Sequence, residues 1–434
     1  FTVARAVRDR LAARGFAVEK APGFGRKRDC LRAKRGGERP ALRHRTSRFA
    51  IVGGGIAGSA MAAALTARGH GVTLIDPHPD LSQAASGNPI GIVMPRLHLG
   101  DNPVSDFNRS AWRYARAWYD RLPPVDGRPA LNDCGVLQLA RDADEAARFA
   151  KLAALPNVAR RSGTMVDPQQ VQFLTGEASP FGGLWLPEAG WVQPAKLCQA
   201  LQAHEGITTM QESVAAITPE GAGWALTNQK GEAIAKADVV IIANGLNSRQ
   251  FSQTGWQPLR PKRGQITELA VVEGGHQGPA CITTFGHYLS PVIDGRRILG
   301  ASYDRWEDAV PSLWPEPDAA SDAANQQALA AALPTLASGL TTVTGKRAAL
   351  RATTPDHLPL AGPAPRVEQP GAAYDGLYLL TGLGSTGLVT APLCAEVICA
   401  QLFDEPMPMT VLTLAAINPA RFIERAVKRG VPIN

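Results

Sequence analysis

Residues 49–76 read FAIVGGGIAGSAMAAALTARGHGVTLID, and this stretch decides the fold. A short apolar run ends at Ile51-Val52 and enters Gly53-Gly54-Gly55-Ile56-Ala57-Gly58. An Ala-rich helical segment follows, then a second apolar run, Val72 to Ile75, closed by Asp76. Strand, glycine turn, helix, strand and acid thus occur in the order of a dinucleotide-binding unit. Gly53 permits the tight turn, Gly55 lets backbone N–H groups reach a pyrophosphate, and Gly58 lets the helix lie close on the sheet. The helix start, with Ile56 and Ala57, supplies partial positive charge for phosphates, and Asp76 is placed to accept from a ribose. A lone glycine fingerprint is weak evidence; here its strand, helix and acid are all present.

The 434 residues are enough for two or three domains, with ordinary globular composition and no internal repeat. Cys30, Cys134, Cys198, Cys281, Cys394 and Cys399 are scattered, without paired or metal-ligand spacing. They read as reduced thiols, so neither a disulfide framework nor a metal site is expected. No apolar run reaches the roughly 20 residues of a membrane helix, and no secretory signal is visible. A cytoplasmic protein away from the membrane is expected.

The formal charge of +7 is unevenly spread. From Lys20 to Arg48 there are eleven Lys or Arg against Asp29 and Glu38, and the chain beyond this strip is net acidic. Charge alone fits a solvated linker or a phosphate-binding strip facing a nucleic acid, with Arg26, Lys27 and Arg28 the densest part.

Residues 1–38 pattern as a helix over Val3–Ala13 and two short strands around a glycine turn, too little to bury a core. They read as the edge of a larger upstream domain, with 39–47 a basic linker. Ala84 to Arg96 (AASGNPIGIVMPR) is either a ligand-approaching loop, through Ser86, Asn88 and Gly91, or an ordinary surface loop. An amphipathic helix over Asp106–Arg121 makes Trp112 and Trp118 core anchors, and Leu131 to Ala140 reads as a strand. Ile207 to Ala237 reads as hairpins. Asp238 to Ala243 (DVVIIA) is a buried parallel strand running into Asn244-Gly245. Late in the chain Leu377–Leu380 opens into Gly382-Leu383-Gly384-Ser385-Thr386-Gly387 and a helix to Leu402, a second strand, glycine loop and helix. The nucleotide sheet is therefore expected to be assembled from distant segments.

Four places resemble the FAD-dependent D-amino-acid-oxidase-like superfamily: the glycine turn with Asp76, GWVQP near Trp191, DVVIIANG, and YLLTGLGSTGLVTAPLCAEVIC. Within it, AASGNPIGIVMP, PKRGQIT, YLSP, ILGASYDR and LRATTPDHLPLAG are similar to the flavin domain of bifunctional tRNA wobble-uridine modification enzymes. The segment RGFAVEKAPGFGRKRDCLRA resembles the last strands of their methyltransferase domain. The resemblance implies an α/β fold: a discontinuous Rossmann-type FAD-binding domain (48–130, 190–257 and 346–434) with an inserted α+β substrate domain (131–189 and 258–345) on a mainly antiparallel sheet.

It also implies non-covalent FAD, a tRNA partner, and oxidation of 5-carboxymethylaminomethyl-(2-thio)uridine to the 5-aminomethyl form. S-adenosylmethionine would serve only the methyltransferase half, whose body the reading does not find before Phe49; a monomer is expected. By family position Arg351, in LRATTPDHLP, binds the substrate carboxylate, Tyr288 assists it, and Val214 offers backbone to adenine. Ala243 and Asn244 border the cofactor, and Gly384, Ser385, Thr386 and Gly387 head a helix whose dipole faces the flavin. Arg263 in KRGQ faces either flavin or tRNA phosphates. Each has a plainer reading: an ion pair for Arg351, a packing tyrosine for Tyr288, and a turn-stabilising Asp356-His357 pair instead of a base. Two other functions fit the motifs less well: a small-molecule amine or D-amino-acid oxidase, and a non-catalytic tRNA-binding protein.

Overall fold

The computed structural model describes residues 3–13, 15–23, 28–35, 47–79, 82–159, 162–271, 278–307 and 315–432. The chain forms two compact units, residues 1–45 and 46–434. The first contains the helix Arg5–Ala12 and an antiparallel hairpin of Phe16–Pro22 with Asp29–Arg35.

In the second unit, six strands form a nucleotide-type sheet, in the order Ile207–Gln211, Val72–Asp76, Phe49–Val52, Val239–Ile242, Ala373–Thr381 and Leu360–Pro365. The first five run parallel and the last is antiparallel. Phe49–Val52 and Val239–Ile242 lie mid-sheet with every residue buried, which is why they are apolar throughout rather than alternating. The helix Ile56–Thr66 follows the glycine turn and packs against the helix Gly387–Leu402. Both are mainly apolar because neighbours cover most of their surfaces. Gly58 allows the close fit: a Cβ there would lie 1.9 Å from the carbonyl oxygen of Gly53.

Nine strands form a second, mainly antiparallel sheet, including Val136–Leu139, Arg260–Ala270, Tyr288–Leu289, Arg296–Gly300 and Val343–Thr353. One apolar core runs without interruption from Phe49, Ile51 and Leu65 through Trp112 and Trp191 to Ile266, Ile282 and Ile298. Both sheets are therefore anchored to the same body. Trp112 is buried and Trp118 packs on this core, as the amphipathic pattern suggests.

Two expectations fail locally. Ile207–Gln211 is not part of a hairpin; it adds a parallel edge strand beside Val72–Asp76, and only the segments from Ala216 to Ala237 form an antiparallel meander. The strand expected from Leu131 begins at Val136, because Gly135 has a φ of +80° and the Trp185 ring fills the space where a side chain would stand.

Candidate functional site

A cavity of about 970 Å³ runs from the glycine turn into the second sheet. That is at the upper end of the usual range of about 300–1,000 Å³ for ligand pockets.

At its nucleotide end Gly53 holds φ +110°, and a Cβ there would meet Ala243 backbone at 2.8 Å. Asp76 orders the turn: one carboxylate oxygen accepts from Gly54 N at 2.7 Å and the other from His78 N at 3.0 Å. Ser86 Oγ accepts from Ile56 N at 3.0 Å, so the loop after the second strand caps the nucleotide helix. Arg347 fixes that loop, donating to Asn88 Oδ1 at 2.6 Å and to the carbonyls of Gln83 and Ala84. Asn88 and Gly91 line the cavity, but the Asn88 side-chain oxygen is already used. Val214, Ala243 and Asn244 line the same end. Asn244 and Asn247 stand at this wall, with their side-chain oxygens buried and without hydrogen-bond partners.

At the other wall Gly384, Ser385, Thr386 and Gly387 lead into Gly387–Leu402, a 16-residue helix with no side-chain cap. Its first-turn N–H groups and dipole are thus available to negative charge. Gly384 N donates to Ala352 O at 2.8 Å, which ties this helix start to the residue after Arg351.

Arg351 projects from the strand Val343–Thr353 toward the cavity. No carboxylate among the described residues lies within 4.0 Å of its nitrogens. Its Cζ lies 5.9 Å from the centroid of the Tyr303 ring. Burial pushes the guanidinium pKa below its ordinary value, while Tyr288 and Tyr303 oppose that shift. An arginine keeps its charge at neutral pH even so. The seat for the guanidinium is made by Gly264, on the paired strand Arg260–Ala270: a Cβ there would lie 2.2 to 2.6 Å from three guanidinium atoms. Tyr288 stands beside it, its phenol pushed up to about 12 by burial and pulled back by Arg351.

Arg263 is a correction. It is 6% exposed, does not line the cavity, and donates to Asp318 Oδ2, Gln265 Oε1, Ser321 Oγ and the Glu316 carbonyl at 2.7 to 2.9 Å. Alternation along the strand sends Gly264 to the Arg351 side and Arg263 to the helix Ala319–Ala332. Its contacts are those of a structural ion pair, turned away from the cavity. The Asp356-His357 pairing is likewise absent: Asp356 accepts from Arg421 and Arg425 instead, and exposed His357 turns the chain at φ +57°. Of the basic strip, Arg28 is exposed, and Arg26 and Lys27 lie outside the described residues.

Cavity residues that the sequence reading did not single out include Arg96, His98, Arg141, His287 and Tyr303. Burial lowers the pKa of both histidines, with Arg96 adding to the effect at His98 and Asp304 opposing it at His287. Gly264 did carry a signal, since a glycine inside a strand pattern marks close approach by another group.

A glycine cradle, an acid-ordered turn and an uncapped helix start fit a dinucleotide flavin. Sequence comparison agrees: the family profile described as "FAD dependent oxidoreductase" matches residues 48–401, and the chain belongs to that family. A second profile, of an S-adenosyl-L-methionine-dependent methyltransferase family, matches residues 1–36. Among curated proteins the chain is similar to the tRNA 5-methylaminomethyl-2-thiouridine biosynthesis bifunctional protein MnmC of Pseudomonas aeruginosa (strain UCBPP-PA14). Identity is 36% over 466 residues, covering 99% of this chain and 69% of the relative. The protein of the same name from Methylobacillus flagellatus is 37% identical over 98% of this chain and 66% of its own.

Solved structures of glycine oxidase from Geobacillus kaustophilus (TM-score 0.72, 19% identity, 86% of this chain and 98% of that one) share the fold. So does L-proline dehydrogenase from P. horikoshii (TM-score 0.67, 19% identity, 89% and 98%). No helix among the described residues is long and apolar enough to cross a membrane.

Proposed function

We propose that this protein oxidatively removes the carboxymethyl group of 5-carboxymethylaminomethyl-(2-thio)uridine at the tRNA wobble position, giving the 5-aminomethyl nucleoside and glyoxylate. The observation that carries this reading is Arg351: a cation without a carboxylate partner among the described residues, seated on Gly264 and facing the same cavity as the flavin-type cradle. A half-buried cation of this kind calls for an anionic ligand. The name of the MnmC relatives supplies the nucleoside.

The substrate group is a glycine joined through nitrogen to a uridine methylene. Its N–CH2 unit loses two electrons and two protons to become an imine; water adds to it, and the C–N bond to the glyoxylate carbon breaks. When bound, the flavin supplies the two-electron acceptor, held non-covalently. Gly53, Gly55, Ile56, Ala57, Gly58 and Asp76 hold its ADP half, Val214 meets the adenine, and Ser86, Asn88, Gly91, Ala243 and Asn244 border the remainder. The Gly384–Gly387 turn and the helix after it stabilise negative charge on the ring side of the site. Arg351 binds the substrate carboxylate with both arms of its fork. Tyr288, protonated at neutral pH, donates to the same carboxylate and orients it. Cys394 and Cys399 are fully buried and line no part of the cavity, consistent with a flavin not attached through them.

Residues 48–130, 190–257 and 346–434 are assigned to the flavin domain, and 131–189 and 258–345 to the substrate domain. The last boundary falls inside Val343–Thr353, so Arg347 and Arg351 stand where the two meet. A tRNA substrate implies a cytoplasmic enzyme.

Incubating the protein with tRNA bearing the carboxymethylaminomethyl group and assaying nucleoside and glyoxylate together tests the reading. One glyoxylate per 5-aminomethyl nucleoside is expected; an unaltered nucleoside overturns it. The basic strip has its own test. Replacing Arg26, Lys27 and Arg28 by Ala should weaken tRNA binding and flatten its salt dependence. Unchanged binding at low salt removes the strip from the interface.

A further inference from the structure

We infer that Tyr303 is the platform on which the pyrimidine base of the substrate stacks while Arg351 holds the carboxylate. The inference rests on the proposed reaction and adds the residue that distinguishes a nucleoside from a free amino acid.

Tyr303 lines the cavity yet is 46% exposed, unlike the other large aromatics there: Phe149 is buried and Tyr288 half-buried. A half-exposed aromatic ring on the cavity wall offers flat apolar surface to a ligand. Its backbone, in contrast, is held. Ser302 N donates to Gln265 O at 3.2 Å, Gln265 N donates to Ser302 Oγ at 3.1 Å, and Asp304 pairs in register with Arg263. The ring is also flanked by charge, with Lys262 Nζ 5.3 Å and Arg351 Cζ 5.9 Å from its centroid. Both distances lie within cation–π range. An open ring on a pinned backbone loses little freedom when a base covers it.

The reach of the proposed substrate's arm suits this arrangement. In an extended carboxymethylaminomethyl arm the carboxylate carbon and the ring carbon that bears the arm are separated by four bonds, about 5 Å at ordinary bond lengths. A carboxylate on Arg351 therefore delivers the uracil to the neighbourhood of a ring 5.9 Å from that guanidinium. Lys262, with Nζ 5.3 Å from the ring centroid, adds a positive charge for the anionic backbone of the same nucleotide. A free glycine or sarcosine would occupy Arg351 and leave Tyr303 uncovered.

The test compares two substrates in anaerobic flavin reduction by the FAD-loaded protein: the modified nucleoside in tRNA, and sarcosine, which has the N-substituted glycine without the base. Loss of base stacking corresponds to a rise of about 5- to 150-fold in the half-saturating concentration. Tyr303→Leu should show that rise with the tRNA and at least 5-fold less of it with sarcosine, while Tyr303→Trp should bind the tRNA at least as well as the parent. An unchanged value for the tRNA, or an equal rise for both substrates, overturns the platform while leaving the proposed reaction standing. If the parent protein reduces its flavin with sarcosine and not with the tRNA, the proposed reaction fails and this inference falls with it. Should Tyr303→Leu not fold, Tyr303→Trp and Tyr303→Phe decide: both must retain tRNA affinity, and a loss in either of them overturns the platform.

Discussion

Gly264→Ala puts the site to a narrow test, because Gly264 touches no substrate in this account and acts only by leaving room. A Cβ at Gly264 would stand 2.2 Å from Arg351 Nη1 and 2.6 Å from Cζ and Nη2. Ordinary contact between heavy atoms is about 3.5 Å, so the guanidinium must retreat by about 1.3 Å. The colliding atoms are the end of a long side chain facing a cavity, so the strand pairing of Arg260–Ala270 with Val343–Thr353 need not change. Folding should survive, with a shift in melting temperature of a few degrees at most. Carboxylate binding should not, since displacement of a positioning group by about 1 Å can cost about 100-fold. Saturation of anaerobic flavin reduction should give a kcat/KM lower by roughly 10- to 100-fold, carried mainly by KM. Unchanged kinetics in a folded, flavin-loaded Gly264→Ala would refute the reasoning: either the guanidinium does not rest on Gly264 or it does not bind the carboxylate.

Arg351→Ala should lower kcat/KM about 100- to 10,000-fold, the loss of two charge-assisted hydrogen bonds, and Arg351→Lys should recover part of it; steady-state kinetics on the modified tRNA checks both. Gly58→Ala should cost about 3 kcal/mol or more and impair flavin retention, because its Cβ would meet the Gly53 backbone carbonyl at 1.9 Å and neither element can yield. Chemical denaturation and the flavin-to-protein absorbance ratio report the two effects. Asp356 carries a pH dependence. Burial opposes its charge, but hydrogen bonds from Arg421 and Arg425 outweigh burial and hold the carboxyl down to about 2, against an ordinary 3.8. Its folded-state pKa is depressed, so the stabilisation, roughly 2 kcal/mol, is present above about pH 4 and is lost as pH falls toward about 2. Denaturation midpoints should show Asp356→Asn less stable than the parent at pH 7, with the gap closing as pH falls from about 4.

The nucleotide half of the fold was legible because backbone chemistry writes itself into residue type. Only glycine suits Gly53 and Gly58, and only continuous apolar runs suit strands buried on both faces, such as Val239–Ile242. Ile207–Gln211 was misread because an edge strand is half-exposed and carries no continuous apolar run: its pattern reads as well for a hairpin as for a parallel edge. Arg263 and Arg351 show the limit at the site. Both are arginines beside small residues in strands, and the difference between a structural pair and a cavity cation lies in which face each strand turns and in what lies opposite. Asp318, 55 residues away in sequence, answers Arg263, and no carboxylate among the described residues answers Arg351. Tyr303 escaped notice for a related reason: half-exposure at a cavity mouth is a property of the assembled surface.

The central claim is most directly tested by mixing the FAD-loaded protein, without oxygen, with tRNA bearing the carboxymethylaminomethyl group and following the visible absorbance of the oxidised flavin. Bleaching with this tRNA, and not with unmodified tRNA or free glycine, is expected. Bleaching by free amino acids with none by the modified tRNA would contradict the account and make the protein a small-molecule amine oxidase.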